Sequence, residues 1–141
     1  MRCKAEFRAT REMVGMTQAA LADELGVMVR SVKRWESPTA AQQPPQDAWD
    51  VLDAALDRQR EVVGFALDKV HDAMDETGGA PQAVALPYWA NADEYAAAST
   101  DAALGVAGDW RMANANARAL AAILWSEGVD VEWQVGNPAR P

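Results

Sequence analysis

The stretch TQAALADELGVMVRSVKRWE, Thr17–Glu36, decides how this chain is read. Leu21, Ala22 and Leu25 share one helical face behind Thr17, whose hydroxyl suits the position just before a helix, and Gly26 stops the run. A glycine there can take the positive φ that a tight turn between two helices demands. A second short helix follows from about Met28 to Trp35, with Val32 and Trp35 inward. Leu21, Ala22, Val27, Val32 and Trp35 form the buried set expected to lock the crossing of the two helices. With those faces inside, Val29, Arg30, Lys33 and Arg34 must point outward.

Working outward, Phe7, Thr10 and Val14 give an earlier helical stripe that breaks at Gly15. Downstream, Pro38 and the Pro44-Pro45 pair mark a loop, and Pro45 suits the first turn of a helix carrying Trp49, Leu52 and Leu56. Val63, Leu67, Val70 and Met74 then continue at 4-3-4 spacing, a long amphipathic stripe ended by Gly78 and Gly79. Beyond it the character changes. Ala83 to Tyr88 reads as a strand, Ala92 to Ser99 as a helix, and Trp110 to Glu127 as an alanine-rich helix stopped by Gly128. From Val129 to Val135 the residues alternate, with Val129, Val131, Trp133 and Val135 on one face and Asp130, Glu132 and Gln134 on the other.

Half of the 141 residues are apolar, enough for a real core. The single Cys3 has no partner for an internal bridge and no spacing that suggests a thiolate metal site. Met1 to Arg8 alternates charge with apolar residues and builds no signal-peptide core, and the longest apolar run is only Ala119 to Trp125. The expectation is a cytoplasmic protein with no membrane partner. The net charge of −8 is unevenly distributed. Residues 1 to 36 hold seven basic side chains against five acidic ones, a net of +2, whereas the remaining 105 residues hold six basic and sixteen acidic, a net of −10. A basic head can dock on phosphate while an acidic body is repelled from it, which orients the head inward.

Arg11, the Thr17-Gln18 pair, Leu21-Ala22, Gly26-Val27 and Trp35-Glu36 stand together in a register that resembles the Cro and phage-repressor type of helix-turn-helix, the XRE-like group, over about residues 5 to 56. The resemblance implies that Gln18, at the start of the helix that follows Thr17, meets a phosphate, that Val29, Arg30 and Arg34 face base edges, and that Lys33 lies beside them toward the backbone. An arginine can bridge guanine O6 and N7 with two bonds, while Val29 offers an apolar contact such as one to a thymine methyl. It also implies that Arg11 and Glu36 pair with each other. Two positions depart from the pattern: Met28 replaces the usual small polar cap of the second helix, and Ser37 stands where a glycine often follows Trp-Glu.

In the second half, Leu86 to Trp89 (LPYW), Asp93-Glu94-Tyr95, Asp109-Trp110-Arg111 and the helix through Asn114, Ala117 and Leu120 to Gly128 are similar to YdiL-type proteins and the anti-CRISPR-associated repressors of that group. Those proteins pair a helix-turn-helix with a carboxy-terminal dimerisation region. The expected chain is therefore mainly α. A lambda-repressor-like helix-turn-helix bundle occupies residues 1–57, a long connecting helix 58–78, and a small α+β dimerisation region 79–137. Trp89, Trp110, Trp125 and Trp133 are read first as core or dimer interface. The candidates for a self-complementary surface are Ala117, Leu120 and Leu124 on the helix and Val129, Val131, Trp133 and Val135 on the strand. The competing possibility is that these faces pack on the Val63 to Met74 stripe of the same subunit.

Catalysis has little footing. His71 is the only histidine and lies within the long amphipathic helix, and Asp68, Asp72, Asp75 and Glu76 form a solvated acidic stripe at helical spacing. No phosphate loop, nucleophile elbow or zinc spacing occurs, so no cofactor or metal is expected. The expected function is that of a sequence-specific transcriptional repressor binding double-stranded DNA as a homodimer on an inverted repeat. Two other classes compete with it. One is an antitoxin-like or adaptor module whose acidic carboxy-terminal half binds a protein partner, and the other is RNA binding through the same basic helix.

Overall fold

The computed structural model describes residues 2–79, 83–99 and 109–135, so 80–82, 100–108 and 136–137 of the expected dimerisation region lie outside the described residues. Within those bounds the chain is mainly helical, with a small two-stranded sheet. It divides into two units, Met1–Arg58 and Gln59–Pro141.

The first unit contains α1 (Lys4–Met13), α2 (Gln18–Leu25), α3 (Val29–Glu36) and the start of α4 (Gln46–Thr77). Local chemistry sets the boundaries. Thr17 Oγ1 accepts from Ala20 N at 3.0 Å, satisfying one of the free N–H groups at the start of α2. At the other end Gly26 sits at φ 66°, in the left-handed region, and the next N–H, that of Val27, turns back to Ala22 O at 2.9 Å. Pro45 precedes α4, and its carbonyl accepts from Trp49 N at 3.2 Å. Phe7, Val14, Leu21, Val32 and Leu52 are buried in this unit. Phe7 meets Trp35 and Trp49 edge-on, with centroids 6.3 and 5.0 Å away. Each large side chain so buried contributes roughly 1.5–3 kcal/mol. Val27 is not part of the buried set. It follows the left-handed glycine and is held by its backbone, so its side chain is exposed beside Met28 and Val29.

The second unit combines the later part of α4 with β1 (Val84–Tyr88), α5 (Ala92–Ala98), α6 (Trp110–Ser126) and β2 (Val131–Val135). Asn91 and Asp109 cap α5 and α6 by accepting from Glu94 N and Met112 N at 2.8 and 2.9 Å. The two strands are parallel, in a register running from Val84 opposite Val131 to Tyr88 opposite Val135. β2 begins at Val131 and not at Val129. Gly128 N donates to Trp125 O and Val129 N to Leu124 O, so Val129 still belongs to the turn that ends α6.

The core of this unit settles which of two partners the apolar faces take. Val63, Leu86, Leu120, Ala121, Leu124 and Val129 are buried together, with Leu67, Val70, Met74, Val84 and Val131 packed against them. Leu120, Leu124 and Val129, expected at a dimer surface, are instead buried within this unit against the α4 stripe. Ala117 and Val131 are half-buried, and of that expected set Trp133 and Val135 remain exposed.

Candidate nucleic-acid interface

The amino-terminal unit carries seven basic side chains in residues 1–36, and most of those outside α3 are engaged. Arg2 forks onto Asp53 at 2.7 and 2.8 Å, with its guanidinium 3.8 Å from the Trp49 ring centroid. Hydrogen bonding to Arg2 holds the Asp53 carboxyl below its ordinary pKa. Lys4 Nζ donates to the carbonyls of Arg34, Ser37 and Ala40 at 3.0, 2.8 and 2.8 Å. A cation is favoured there because the last turn of α3 exposes partial negative charge. Arg8 Nε donates to Glu12 at 2.8 Å. Arg11 is buried and forms a two-pronged pair with Glu36, Nε to Oε2 at 2.5 Å and Nη2 to Oε1 at 2.8 Å. Its Nη1 also donates to Met16 O at 2.9 Å, which ties α1 to the turn before α2.

Arg30, Lys33 and Arg34 remain. All three are exposed on α3, and among the described residues none has a hydrogen bond or ion pair from its side chain. Their spacing puts Arg30 and Arg34 one turn apart with Lys33 beside them. The opposite face of the helix is buried through Val32 and Trp35, so the cations cannot turn inward without breaking the core.

Two shallow grooves flank this ridge. Arg8, Gln18 and Lys33 line one, together with Arg11 and Glu36. Gln18 Nε2 donates to Glu36 Oε1 at 3.2 Å, which fixes the amide and leaves its second proton free to reach an anion. Val27, Met28, Val29 and Arg30 line the other, which is mostly apolar. Met28, in place of a polar cap, makes no side-chain cap bond. α3 still starts there, because the Met28 carbonyl accepts from Ser31 N at 2.9 Å and the side chain is left 62% exposed.

The five expected residues Gln18, Val29, Arg30, Lys33 and Arg34 thus lie on one surface of the α2–α3 pair. Arg8 and Met28 belong to the same surface and were missed. Arg8 had a signal: it sits three residues before the buried Arg11 on α1 and next to the buried Phe7. Met28 had none beyond its proximity to Val29.

No family model matches the chain, and no curated protein matches it. Among the described residues no helix is long and apolar enough to cross a membrane, and no group of three or more His, Cys, Asp or Glu is placed to hold a metal ion.

Proposed function

We propose that the chain is a cytoplasmic, sequence-specific DNA-binding repressor that acts as a homodimer on an inverted repeat, with α2 and α3 as a helix-turn-helix. One observation carries this reading: the unengaged cations Arg30, Lys33 and Arg34 share the exposed face of α3, while Arg2, Lys4, Arg8 and Arg11 hold acids or carbonyls within the same unit. In this reading α3 lies in the major groove. Arg30 and Arg34 take guanine edges, Val29 with Met28 takes thymine methyls, and Gln18 and Lys33 meet phosphates along the flanking groove. One such helix reads only a few base pairs. Two heads about one helical turn apart, roughly 34 Å, engage both half-sites, the second at high effective concentration.

The test is a footprint of the full chain on the DNA just upstream of its own gene, with a folded RNA stem-loop of the same region as competitor. Two protected half-sites of opposite orientation are expected, and the stem-loop should compete no better than random duplex. A single unsymmetric footprint would remove the dimer. Stronger competition by the stem-loop would replace DNA with RNA.

A further inference from the structure

β1 and β2 have different outer edges. Val84 N donates to Asp130 O at 2.8 Å, and with the parallel register this turns the backbone groups of Val84, Leu86 and Tyr88 toward β2 and those of Asp130, Glu132 and Gln134 toward β1. The N–H groups of Ala85 and of residue 87 would face outward on β1, but residue 87 is a proline and has none. That edge is closed to a further strand. On β2 the outward groups are the N–H and C=O of Val131, Trp133 and Val135, and no described strand pairs with them. The sequence VEWQV holds no lysine, proline or glycine that would blunt such an edge.

The side chains along this edge are also uncovered. Leu86 is 7% exposed, whereas Trp133, its partner in register, is 40% exposed and Val135 is 85% exposed. Tyr88 and Trp125, both exposed, meet Trp133 edge-on at 5.4 and 6.5 Å and extend the patch.

We propose that the open edge of β2 pairs antiparallel with β2 of a second copy across a two-fold axis at Trp133, giving a four-stranded sheet in the order β1-β2-β2-β1. The inference rests on the homodimer in the function proposed above. Charge and hydrogen bonding both select this register. Centred on Trp133, the outward groups of Val131, Trp133 and Val135 meet the same groups of the partner copy in reverse order, and each donor finds an acceptor. Glu132 then lies opposite Gln134 of the partner copy, an acceptor facing an amide donor. Centring the axis on Glu132 would set two carboxylates against each other, and like charges directly opposite are destabilising. Trp133 stacks beside its own copy, and Val131 packs against Val135 of the partner copy.

Sedimentation of the full chain and three variants tests this. Val135→Pro removes one outward N–H and no bond to β1, so circular dichroism should be unchanged while the dimer dissociation constant rises about ten-fold or more. Gln134→Lys places a cation opposite Glu132 twice per dimer and should tighten association, whereas Gln134→Glu should weaken it, each by about two- to thirty-fold. A wild-type chain that sediments as a monomer at tens of micromolar overturns both this inference and the homodimer. A dimer indifferent to all three substitutions overturns only the β2 pairing. A dimer that responds as stated but gives no footprint upholds the pairing and removes the DNA reading.

Discussion

The side-chain amide of Asn114 completes the backbone hydrogen bonds of Trp89. Trp89 N donates to Asn114 Oδ1 at 2.8 Å, and Asn114 Nδ2 donates to the Trp89 carbonyl at 2.9 Å. Both residues are buried. Trp89 is the first residue past β1, so the amide stands in for a strand partner at the point where the ladder ends and fastens that point to α6. Tyr95 packs edge-on against the same indole at 5.5 Å.

Replacing Asn114 by Ala therefore strands a buried N–H and a buried C=O, at a cost of about 1–3 kcal/mol each. Asn114→Asp keeps the acceptor but sets a buried carboxylate against the Trp89 carbonyl, so at neutral pH it should cost at least as much as Ala. Urea unfolding measures all three. An Ala variant as stable as wild type would mean that water satisfies both backbone groups.

The Arg11–Glu36 pair is buried, so removing one partner should harm more than removing both. Arg11→Ala is expected to cost roughly 3–5 kcal/mol, because it leaves the Glu36 carboxylate uncompensated. Arg11→Met combined with Glu36→Leu should recover most of that loss. Additive losses in a double-mutant cycle would show that the two side chains do not interact.

Arg30→Ala and Arg34→Ala should leave thermal stability unchanged, since both side chains are exposed and make no hydrogen bond or ion pair among the described residues, and should each reduce discrimination of the proposed operator by about 1–3 kcal/mol. Gln18→Ala should weaken all DNA sequences about equally, as loss of a phosphate contact does. Wild-type affinity for the footprinted site in either arginine variant would remove that residue from base reading.

Salt should act steeply on the same complex. Neutralising each phosphate gives a log-log slope of about −0.9, and the cationic ridge around Lys33 on each of two heads supplies such contacts, whereas the neutral Gln18 adds none. Fluorescence anisotropy between 50 and 200 mM salt, roughly the range over which such complexes lose most affinity, measures the slope. A flat response would mean that the basic ridge does not sit on the backbone.

His71 Nε2 and Glu127 Oε2 lie 2.7 Å apart, joining α4 to the end of α6 within the second unit. The hydrogen bond to Glu127, with added attraction from Asp68 and Asp75, raises the His71 pKa above its ordinary value. A raised folded-state pKa gives a stabilisation that is complete below the unfolded-state pKa of about 6.5 and is lost as pH rises through the folded-state value. The stability difference between wild type and His71→Asn should accordingly be present at pH 5.5 and gone by pH 9, both roughly chosen to bracket that window. Chemical denaturation at the two pH values checks it, and a difference that does not change with pH would rule out the protonated pair.

Much of this protein is set by short-range rules. Thr17, Gly26, Asp109 and Gly128 act through bonds to residues three to five positions away or through their own φ, so the bounds of α2 and α6 follow from neighbouring residues alone. The outward ridge of Arg30, Lys33 and Arg34 is equally local, because burying Val32 and Trp35 leaves those three no other direction. What the sequence could not decide is which surface each apolar or charged group meets. Leu120, Leu124 and Val129 have the same spacing whether they face a second chain or the Val63 to Met74 stripe, since periodicity records that a face is apolar and not what covers it. Arg2 and Lys4 count in the sequence only toward the basic head, and it is the fold that brings Asp53 and the carbonyls of Arg34, Ser37 and Ala40 beside them. The parallel register decides the last case. Only once Pro87 lies on one outer edge and Trp133 on the other does one strand become closed to a partner and the other open.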